Sequence, residues 1–511
     1  MNTKKGITLI ALVITVIILL ILAAVIISLG LDSEGLFAKT NSAVTGWNRK
    51  VEMEESSLHN WLALANEIDE DIVIPEGAVA RIGIDFFPTL QEAINSITSN
   101  TLTTVLLLKD INENVTVPQN RNVILDLDGK EITNATNTPI ITLSGNMTVK
   151  NGTIMGQYGA KAATILVNQN SKINVINTII GRESEGSYSW ETVQLYGDLD
   201  ISSGKISSTN SNAICVYNGY VNINISGTAE ISGESANNTT IDNNGGSIVI
   251  NGGKVSTTNR PAIHNYSNGT VEISGTAEVT AMPDGDIPVY NQNGTLILSG
   301  GKVSGPYGAI YNDSNGTLEI SGSTQAISSG SYIVLTNYGT ASLLGGEIGG
   351  SNVSIWNYSG ATMEIGGSTD IEVLVNAGSA TLTGGMVGRV QNNKTGTINV
   401  SGTVEITDTF DNSGTVTATG GKFYGGNYNN VTSIFNSATG TIEISGTAEV
   451  LQRYSAIAFD NTGTAILKGG IINSSGGGLA IRNTSNGTVY LGQNCVVTGN
   501  TSGIISPYNG E

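Results

Sequence analysis

The feature that most constrains the fold is a glycine-headed segment that recurs through much of the chain. The clearest copy runs from Asn268 to Asn291 and reads NGTVEISGTAEVTAMPDGDIPVYN. Its first glycine recurs about every 18 to 26 residues, a period typical of solenoids. These glycines are Gly269, Gly294, Gly316, Gly339, Gly360, Gly378, Gly396, Gly414, Gly440, Gly463 and Gly487. One period therefore predicts one coil of a stacked structure.

Apolar residues alternate with polar ones inside each copy, as in Val271 and Ile273. A spacing of two places them on one face of a β-strand. Gly-Gly, Ser-Gly and Asn-Gly pairs separate the strands, and we expect their glycines to supply the positive φ of sharp corners. Strands that turn at such corners and stack on copies of themselves share one apolar core. The pattern predicts an all-β fold, a parallel β-helix.

Asparagine recurs two residues after an apolar residue, at one offset from the next glycine. The positions are Asn218, Asn243, Asn265, Asn291, Asn312, Asn337, Asn357, Asn376, Asn392, Asn412, Asn436, Asn461 and Asn483. Stacked amides can hydrogen-bond along a ladder, although asparagine is also a common turn residue. The constant offset favours the ladder.

Two types of coil alternate, one containing Ile-Ser-Gly-Thr-Ala-Glu and the other Gly-Gly-Lys. Stacking would place Glu230, Lys254, Glu278 and Lys302 beside one another along one edge. Like charges on neighbouring strands are unfavourable, so the alternation predicts an arrangement that avoids repulsion.

The charge balance excludes one class of partner. The formal net charge is −19, with 23 Lys and Arg residues in all, whereas a nucleic-acid surface needs clustered basic residues. Cys215 and Cys495 lie many repeats apart, so a β-helix would keep them from forming a disulfide.

The N-terminal region predicts a membrane anchor. Ile7 to Leu29 is an uncharged apolar run long enough to span a bilayer as a helix, and Lys4 and Lys5 precede it, which predicts a cytoplasmic N-terminus. The alternative is a removable secretory signal, although the apolar region of such signals is normally shorter, about 7 to 15 residues.

The segment from Lys4 to Ile10, KKGITLI, resembles the start of type IV pilins and pseudopilins. The resemblance implies cleavage between Gly6 and Ile7 by a prepilin peptidase, followed by N-methylation of Ile7. The family usually has Glu at the fifth mature position, where this chain has Ala11. That difference favours a minor pilin-like or simply membrane-held protein over a major pilin.

The predicted domains follow in order. Residues 1–30 form the leader and transmembrane helix, and residues 31–70 an amphipathic stalk helix with an apolar stripe. Residues 71–135 form a linker and N-terminal cap with a short helix at Thr89 to Ile94, and residues 136–511 form the β-helix. The sequence LDLDGK, Leu125 to Lys130, resembles the entry to pectin-lyase-like adhesive β-helices, which implies a right-handed coil.

The same resemblance raises the possibility of an enzyme, because such β-helices include pectate lyases and polygalacturonases. The hydrolase motifs Asn-Thr-Asp, Asp-Asp, Gly-His-Gly and Arg-Ile-Lys are absent from this sequence. Arg260 and His264 are the nearest base and electrophile. A second candidate is a column of glutamates predicted in alternate coils, Glu272, Glu319, Glu364 and Glu443. We expect all of these to be solvated surface residues, and we expect no enzyme, cofactor or metal.

Aromatic residues flank the asparagine column at Tyr217, Tyr266, Tyr290, Tyr311, Tyr338, Trp356, Tyr358 and Phe435. Rings beside amides can bind sugars, and they can equally pack against one another at a corner of the fold. The candidate ligand surface is Tyr290, Tyr311, Tyr338, Trp356 and Tyr358.

Together these features predict a single-pass bacterial membrane protein with its β-helix at the cell surface. We expect an adhesin or structural display module that binds a glycan or another cell or host surface. Its other expected partners are the membrane, a prepilin peptidase and pilin-like proteins, with no nucleic acid. The alternatives are a polysaccharide-active lyase or hydrolase, and a minor pilin at a filament tip.

Overall fold

The computed structural model describes residues 73–134, 136–157, 161–182, 190–283, 285–350, 353–426 and 431–510. The chain divides into two compact units, Met1–Glu76 and Gly77–Glu511, and the fold described below is that of the second. The predicted transmembrane and stalk helices, residues 1–30 and 31–70, lie outside the described residues. Within the described ranges, no helix combines the length and the apolar character needed to cross a bilayer.

The second unit is a parallel β-solenoid of about 17 turns, which confirms the predicted β-helix. A representative coil has three strands, Thr270–Ile273, Glu278–Ala281 and Val289–Asn291. Each pairs in parallel with its equivalent in the next coil, so three sheets run along the solenoid. We call them sheet 1, sheet 2 and sheet 3, in the order in which the chain visits them.

The strands of sheet 1 are Thr103–Leu107, Asn122–Asp126, Asp198–Ile201, Asn222–Ile225, Ser247–Ile250, Thr270–Ile273, Thr295–Leu298, Thr317–Ile320, Thr340–Leu343, Thr362–Ile365, Ser379–Leu382, Thr397–Val400, Thr415–Ala418, Thr441–Ile444 and Ser506–Pro507. The strands of sheet 2 are Ile111–Asn112, Glu131–Asn134, Gly204–Ser208, Glu230–Gly233, Lys254–Thr257, Glu278–Ala281, Lys302–Gly305, Gln325–Ser328, Glu347–Gly349, Glu405–Ile406, Lys422–Tyr424 and Glu449–Gln452. Four longer strands run through sheets 1 and 2: Asn146–Gly156, Lys172–Arg182, Thr464–Ser474 and Thr488–Thr498.

The strands of sheet 3 are Val115–Val117, Ile141–Leu143, Ile165–Val167, Val193–Leu195, Ile214–Val216, Ile241–Asn244, Ile263–Tyr266, Val289–Asn291, Ile310–Asn312, Leu335–Asn337, Ile355–Asn357, Phe410–Asn412, Ile434–Asn436, Phe459–Asn461, Leu479–Asn483 and Asn500–Ser502. Two strands run through sheets 2 and 3: Asp370–Asn376 and Met386–Asn392.

The core lies inside the coils and is built by the predicted alternation. In Thr270–Ile273 the second and fourth residues, Val271 and Ile273, are fully buried. Burial of one such aliphatic side chain contributes about 1.5 to 3 kcal/mol. Because neighbouring coils repeat the pattern in register, the buried residues form one continuous apolar column.

Glycines at the corners act in two different ways. Gly275, from a Ser-Gly pair, has a φ of +58°, as expected for a sharp corner. The prediction of positive φ is wrong for the Asn-Gly glycines Gly269, Gly294, Gly316 and Gly487, which are absent from the positive-φ residues of the described chain. At Gly294 a Cβ would instead lie 2.3 Å from the Asn265 amide nitrogen and 2.4 Å from the Gly269 carbonyl oxygen. These corners therefore need glycine because successive coils approach each other closely there.

A small cap covers the first coil, and its helix was predicted from the sequence. Helix α1, Leu90–Ser96, begins after Thr89, whose hydroxyl accepts a hydrogen bond from the Glu92 amide at 3.1 Å. The strands Ala80–Ile82 and Asp85–Phe87 form an antiparallel hairpin, and the first of them pairs with the edge of Thr103–Leu107. This pairing covers the free edge of Thr103–Leu107, which could otherwise pair with a strand of another chain.

The predicted alternation of charge is confirmed by the register of sheet 2. Lys205, Glu230, Lys254, Glu278 and Lys302 occupy equivalent positions in consecutive coils. Opposite charges therefore neighbour each other along this part of the sheet. The two cysteines are free, as predicted, one on sheet 3 and the other in a distant coil.

An asparagine ladder runs through sheet 3 and confirms most of the predicted column. Its members are Asn243, Asn265, Asn291, Asn312, Asn337, Asn357, Asn376, Asn392, Asn412, Asn436, Asn461 and Asn483. Each Nδ2 donates to the Oδ1 of the next member at 2.7 to 2.9 Å. All of these side chains are buried, at 5% exposure or less.

The inclusion of Asn218 in this column is wrong. The register pairs Val216, two residues earlier, with Asn243, so Asn218 lies beyond the strand. Its amide donates instead to the Tyr196 carbonyl oxygen at 3.2 Å. Consequently the ladder begins at Asn243, whose Oδ1 has no hydrogen-bond partner in the described structure.

We expect Asn337→Asp to destabilise the full chain by about 3 kcal/mol or more near pH 8. The new carboxylate would face three oxygens to which the Asn337 amide now donates, those of Gly339, Asn357 and Thr362. Burial and repulsion would raise the pKa of this carboxyl in the folded state, so the loss should shrink as the pH falls toward about 4. Denaturant unfolding followed by circular dichroism measures the change.

The matched control is Asn399→Asp, which introduces the same charge at an exposed position of sheet 1. We expect this variant to remain within about 0.5 kcal/mol of the parent protein. Equal losses from both variants would show that the ladder contributes nothing specific to stability.

Candidate functional site: an aromatic strip beside the asparagine ladder

The inward position of the ladder determines what lies outside sheet 3. Side chains alternate along a strand, so the residues before and after each ladder asparagine point away from the core. Residues in these two outer positions are Tyr290 and Gln292 in one coil, and Tyr311 and Asp313 in the next. Equivalent positions of successive coils form two neighbouring columns along the surface.

Seven rings in these columns form a continuous cluster, which we call the aromatic strip. Its members are His264, Tyr266, Tyr290, Tyr311, Tyr338, Trp356 and Tyr358. The neighbouring pairs, with the distances between ring centroids, are His264–Tyr266 4.7 Å, His264–Tyr290 5.1 Å, Tyr290–Tyr311 5.0 Å, Tyr311–Tyr338 5.5 Å, Tyr338–Tyr358 4.1 Å and Trp356–Tyr358 5.1 Å. All five residues of the candidate ligand surface therefore lie together, and each is half-buried.

The rings of the strip pack mainly against one another. Tyr358 stacks nearly parallel to both Tyr338 and Trp356, with interplanar angles of 17° and 12°. Tyr290 and Tyr311 meet edge to face at 74°. Such pairs contribute about 0.5 to 1.5 kcal/mol each beyond the area that they bury. The strip consequently supports the fold, whatever else it does.

Two of the flanking aromatics lie elsewhere. Tyr217 stacks on Tyr196, with ring centroids 5.2 Å apart, and lies two coils before the first ring of the strip. Phe435 lies in a later coil, beside an open groove where Arg389 and Asp411 form an ion pair at 2.6 Å.

Asp313 is a carboxylate in contact with the strip. Asp313 accepts a hydrogen bond from the hydroxyl of Tyr290 at 3.2 Å. Burial, together with this carboxylate, raises the pKa of Tyr290 and of Tyr311 above the ordinary phenol value. Both phenols therefore remain neutral hydrogen-bond donors at physiological pH.

A polar cluster at the first end of the strip was not predicted from the sequence. Asp242 lies between Cys215 and His264 in consecutive coils. Its Oδ1 is 3.2 Å from His264 Nδ1, and its Oδ2 is 4.0 Å from the Cys215 Sγ atom. The hydroxyl of Tyr266 donates to the same carboxylate at 3.2 Å. The residues occupy equivalent outer positions only after the coils stack, so spacing along the chain did not indicate the cluster.

This cluster does not have the geometry of an activated nucleophile. Burial, and then the charge of Asp242, raise the pKa of the Cys215 thiol far above its ordinary value. A catalytic thiol needs a lowered pKa and a neighbouring base. In this structure the carboxylate, rather than the imidazole, is next to the sulfur.

The two catalytic candidates considered from the sequence are placed as follows. The Arg260 side chain donates to the Ala236 carbonyl oxygen at 3.2 Å, while the His264 ring contacts Asp242 and Gln292. The glutamates Glu272, Glu319 and Glu364 occupy alternate coils of sheet 1, as predicted. Glu443 lies in the same column four coils after Glu364, in the alternate-coil register, but Asn399 occupies the position between them where a glutamate would continue the series.

Potential metal ligands do not converge anywhere in the described ranges, where no group of three or more His, Cys, Asp or Glu side chains could hold an ion. A shallow groove at the corner between sheets 1 and 2 is lined by Asp128, Asn151 and Lys205 among others.

The fold defines this unit as a parallel β-helix with an aromatic outer strip. Comparisons with protein-family models, with curated proteins and with solved structures found no match.

We expect His264 to titrate above the ordinary histidine value of 6.5. Burial alone lowers the pKa of this imidazole, but hydrogen bonds to Asp242 and Gln292 and the charge of Asp242 outweigh it. The chain has two histidines, His59 and His264, so an NMR titration of the full chain shows two imidazole signals and His59→Gln assigns them.

A raised pKa in the folded state stabilises the fold fully below the unfolded value of about 6.5, and this contribution is lost as the pH rises through the folded value. The melting temperature should therefore fall across that window. Asp242→Asn should lower the pKa of His264 and remove this pH dependence. A His264 signal that titrates at or below 6.5 would contradict the predicted rise in its pKa.

Proposed function

We propose that this chain is a membrane-held surface protein whose β-helix is a non-enzymatic display and binding module, an adhesin that binds glycans. The aromatic strip carries the proposal, because it places seven adjacent rings on one outer face. Rings with nearby polar groups are a common way to bind sugars, since apolar faces pack on the pyranose while donors and acceptors bind its hydroxyls.

The polar groups of the strip suit such a ligand. The neutral Tyr290 hydroxyl donates to Asp313, so its oxygen and the carboxylate of Asp313 are acceptors for sugar hydroxyls. Gln292 and His264 lie at the first end of the strip, where Gln292 Oε1 is 2.9 Å from His264 Nε2. A flat surface that repeats once per coil, about every 4.8 Å, offers successive contacts to an extended polymer.

The rigidity of the scaffold also supports a binding role. Buried amides that hydrogen-bond from coil to coil hold the neighbouring outer residues in one fixed register. A preorganised surface loses less conformational entropy when it binds a ligand. Display outside the cell is proposed from the apolar run Ile7 to Leu29 and from the resemblance of the N-terminus to pilins.

We expect Trp356→Ala to weaken glycan binding by about 3- to 10-fold, since one stacked aromatic contact is worth about 0.5 to 1.5 kcal/mol. A glycan array probed with the full chain identifies a bound sugar, and titration with that sugar measures affinity. Tyr220→Ala is the matched control, because Tyr220 is an aromatic residue 81% exposed outside the strip.

The outcomes distinguish three hypotheses for the strip and the β-helix: ligand binding, a structural role and enzymatic cleavage. A Trp356→Ala variant that loses affinity with an unchanged melting temperature supports recognition by the strip. A lower melting temperature with unchanged affinity would leave the strip a structural role only. Release of sugar in a parallel cleavage assay would favour the alternative of a polysaccharide-active enzyme.

The anchoring part of the proposal has its own test. Mass spectrometry of the mature protein should find a chain that begins at N-methylated Ile7, because the resemblance implies cleavage after Gly6. A chain that begins at any other residue would contradict the pilin-like reading and leave the binding role of the β-helix untouched.

A further inference from the structure

The face that carries the aromatic strip contains no cationic side chain from Lys or Arg. Six segments cross this face, each running from a strand of sheet 3 into the next strand of sheet 1. They are residues 263–273, 289–298, 310–320, 335–343, 355–365 and 374–382, all within the described part of the chain. None of them contains Lys or Arg, whereas four carboxylates occur in them: Glu272, Asp313, Glu319 and Glu364.

Basic residues of the same coils lie on other surfaces. Lys254 and Lys302 are on sheet 2, where they alternate with glutamates. Arg260 is in the connection between sheets 2 and 3, and its Nε contacts the Ala236 carbonyl oxygen. The separation of charge between faces is therefore a property of the coils and not only of the overall charge of −19.

We infer that the aromatic strip selects uncharged glycans and rejects acidic ones. This inference rests on the proposed glycan binding and names the class of ligand. An acidic sugar laid along the strip would bring its carboxylate or sulfate near Asp313, where the six segments provide no Lys or Arg to pair with it. Two like charges several ångströms apart near a solvated surface repel by about 1 kcal/mol. Each acidic sugar unit that comes this close to Asp313 should therefore weaken binding by about fivefold.

Aromatic surfaces of this kind otherwise suit neutral sugars. The interaction of rings with the carbon-bound hydrogens of a pyranose needs no charge. Because the Tyr290 hydroxyl donates to Asp313, its oxygen and the carboxylate are left to accept hydrogen bonds from sugar hydroxyls. Binding that depends on these contacts is also expected to change little with salt, because screening acts on charges within a Debye length of about 8 to 10 Å.

Three families of probe test the inference on the full chain. The first contains neutral hexose and N-acetylhexosamine oligosaccharides, the second the same lengths with uronic or sialic acid, and the third cationic chitosan oligomers. We expect binding to the first family and at least fivefold weaker binding to the second. Tyr338→Ala should reduce binding to the first family, as expected if the ligand lies on the strip.

A matched pair of charge variants separates the local effect from that of net charge. Asp313→Asn removes the carboxylate that contacts Tyr290 in the strip, whereas Asp370→Asn removes an exposed carboxylate on sheet 2. We expect the first variant to raise affinity for the acidic family by about threefold or more, and the second to leave it unchanged. Equal gains from both variants would mean that overall charge decides, which would overturn the inference.

The other outcomes are equally decisive. Preferred binding of acidic or of chitosan oligomers would overturn the inference while leaving the proposed glycan-binding function in place. Neutral binding that Tyr338→Ala does not alter, with the fold intact, would place the site elsewhere and also overturn it. Failure to bind any of the three families would overturn the proposed function itself.

Discussion

Hydrogen bonding between the side chains of successive coils, within the parallel register of sheet 3, is the constraint on which the rest of this structure depends. The ladder asparagines are buried, and the Nδ2 of every member before Asn483 donates to the amide oxygen of the next coil and to backbone carbonyls. Asn312, for example, donates to Asn337, Gly316 and Thr340. An unsatisfied buried polar group costs about 1 to 3 kcal/mol. A slip of one residue would turn the amides outward and the rings inward, so the register is strongly specified.

The ladder and the aromatic strip are therefore two consequences of one arrangement. Asn337 points inward because its amide needs partners, and Tyr338 points outward because it follows in the same chain. Stacking of the coils then brings the ring centroid of Tyr338 to 4.1 Å from that of Tyr358, which lies in the next coil. A repeated surface of this kind needs no loops to build it, which distinguishes it from a catalytic cleft, where residues from different elements converge on one point.

Glycine has a second role in the same region. Where the ladder passes the Asn-Gly corners, the backbone of one coil lies so close to the amide of another that a side chain cannot fit, as at Gly294. We expected positive φ at these corners because glycine adopts it more easily than other residues, which is the usual reason for glycine in a turn. Only the packed coils reveal the other reason, because the obstructing atoms belong to Asn265 and Gly269 of the preceding coil.

The sequence by itself determined the solenoid, the direction in which each strand faces and the position of most of the ladder, because a period and an alternation of two are local properties of the chain. It also predicted that the five residues of the candidate ligand surface lie together, but not that Tyr217 and Phe435 lie elsewhere or that His264 joins the strip. Tertiary structure decided the start of the ladder at Asn243 and the meeting of Cys215, Asp242 and His264. These depend on how residues about 25 positions apart align between coils of unequal length, and that alignment exists only when the coils are stacked.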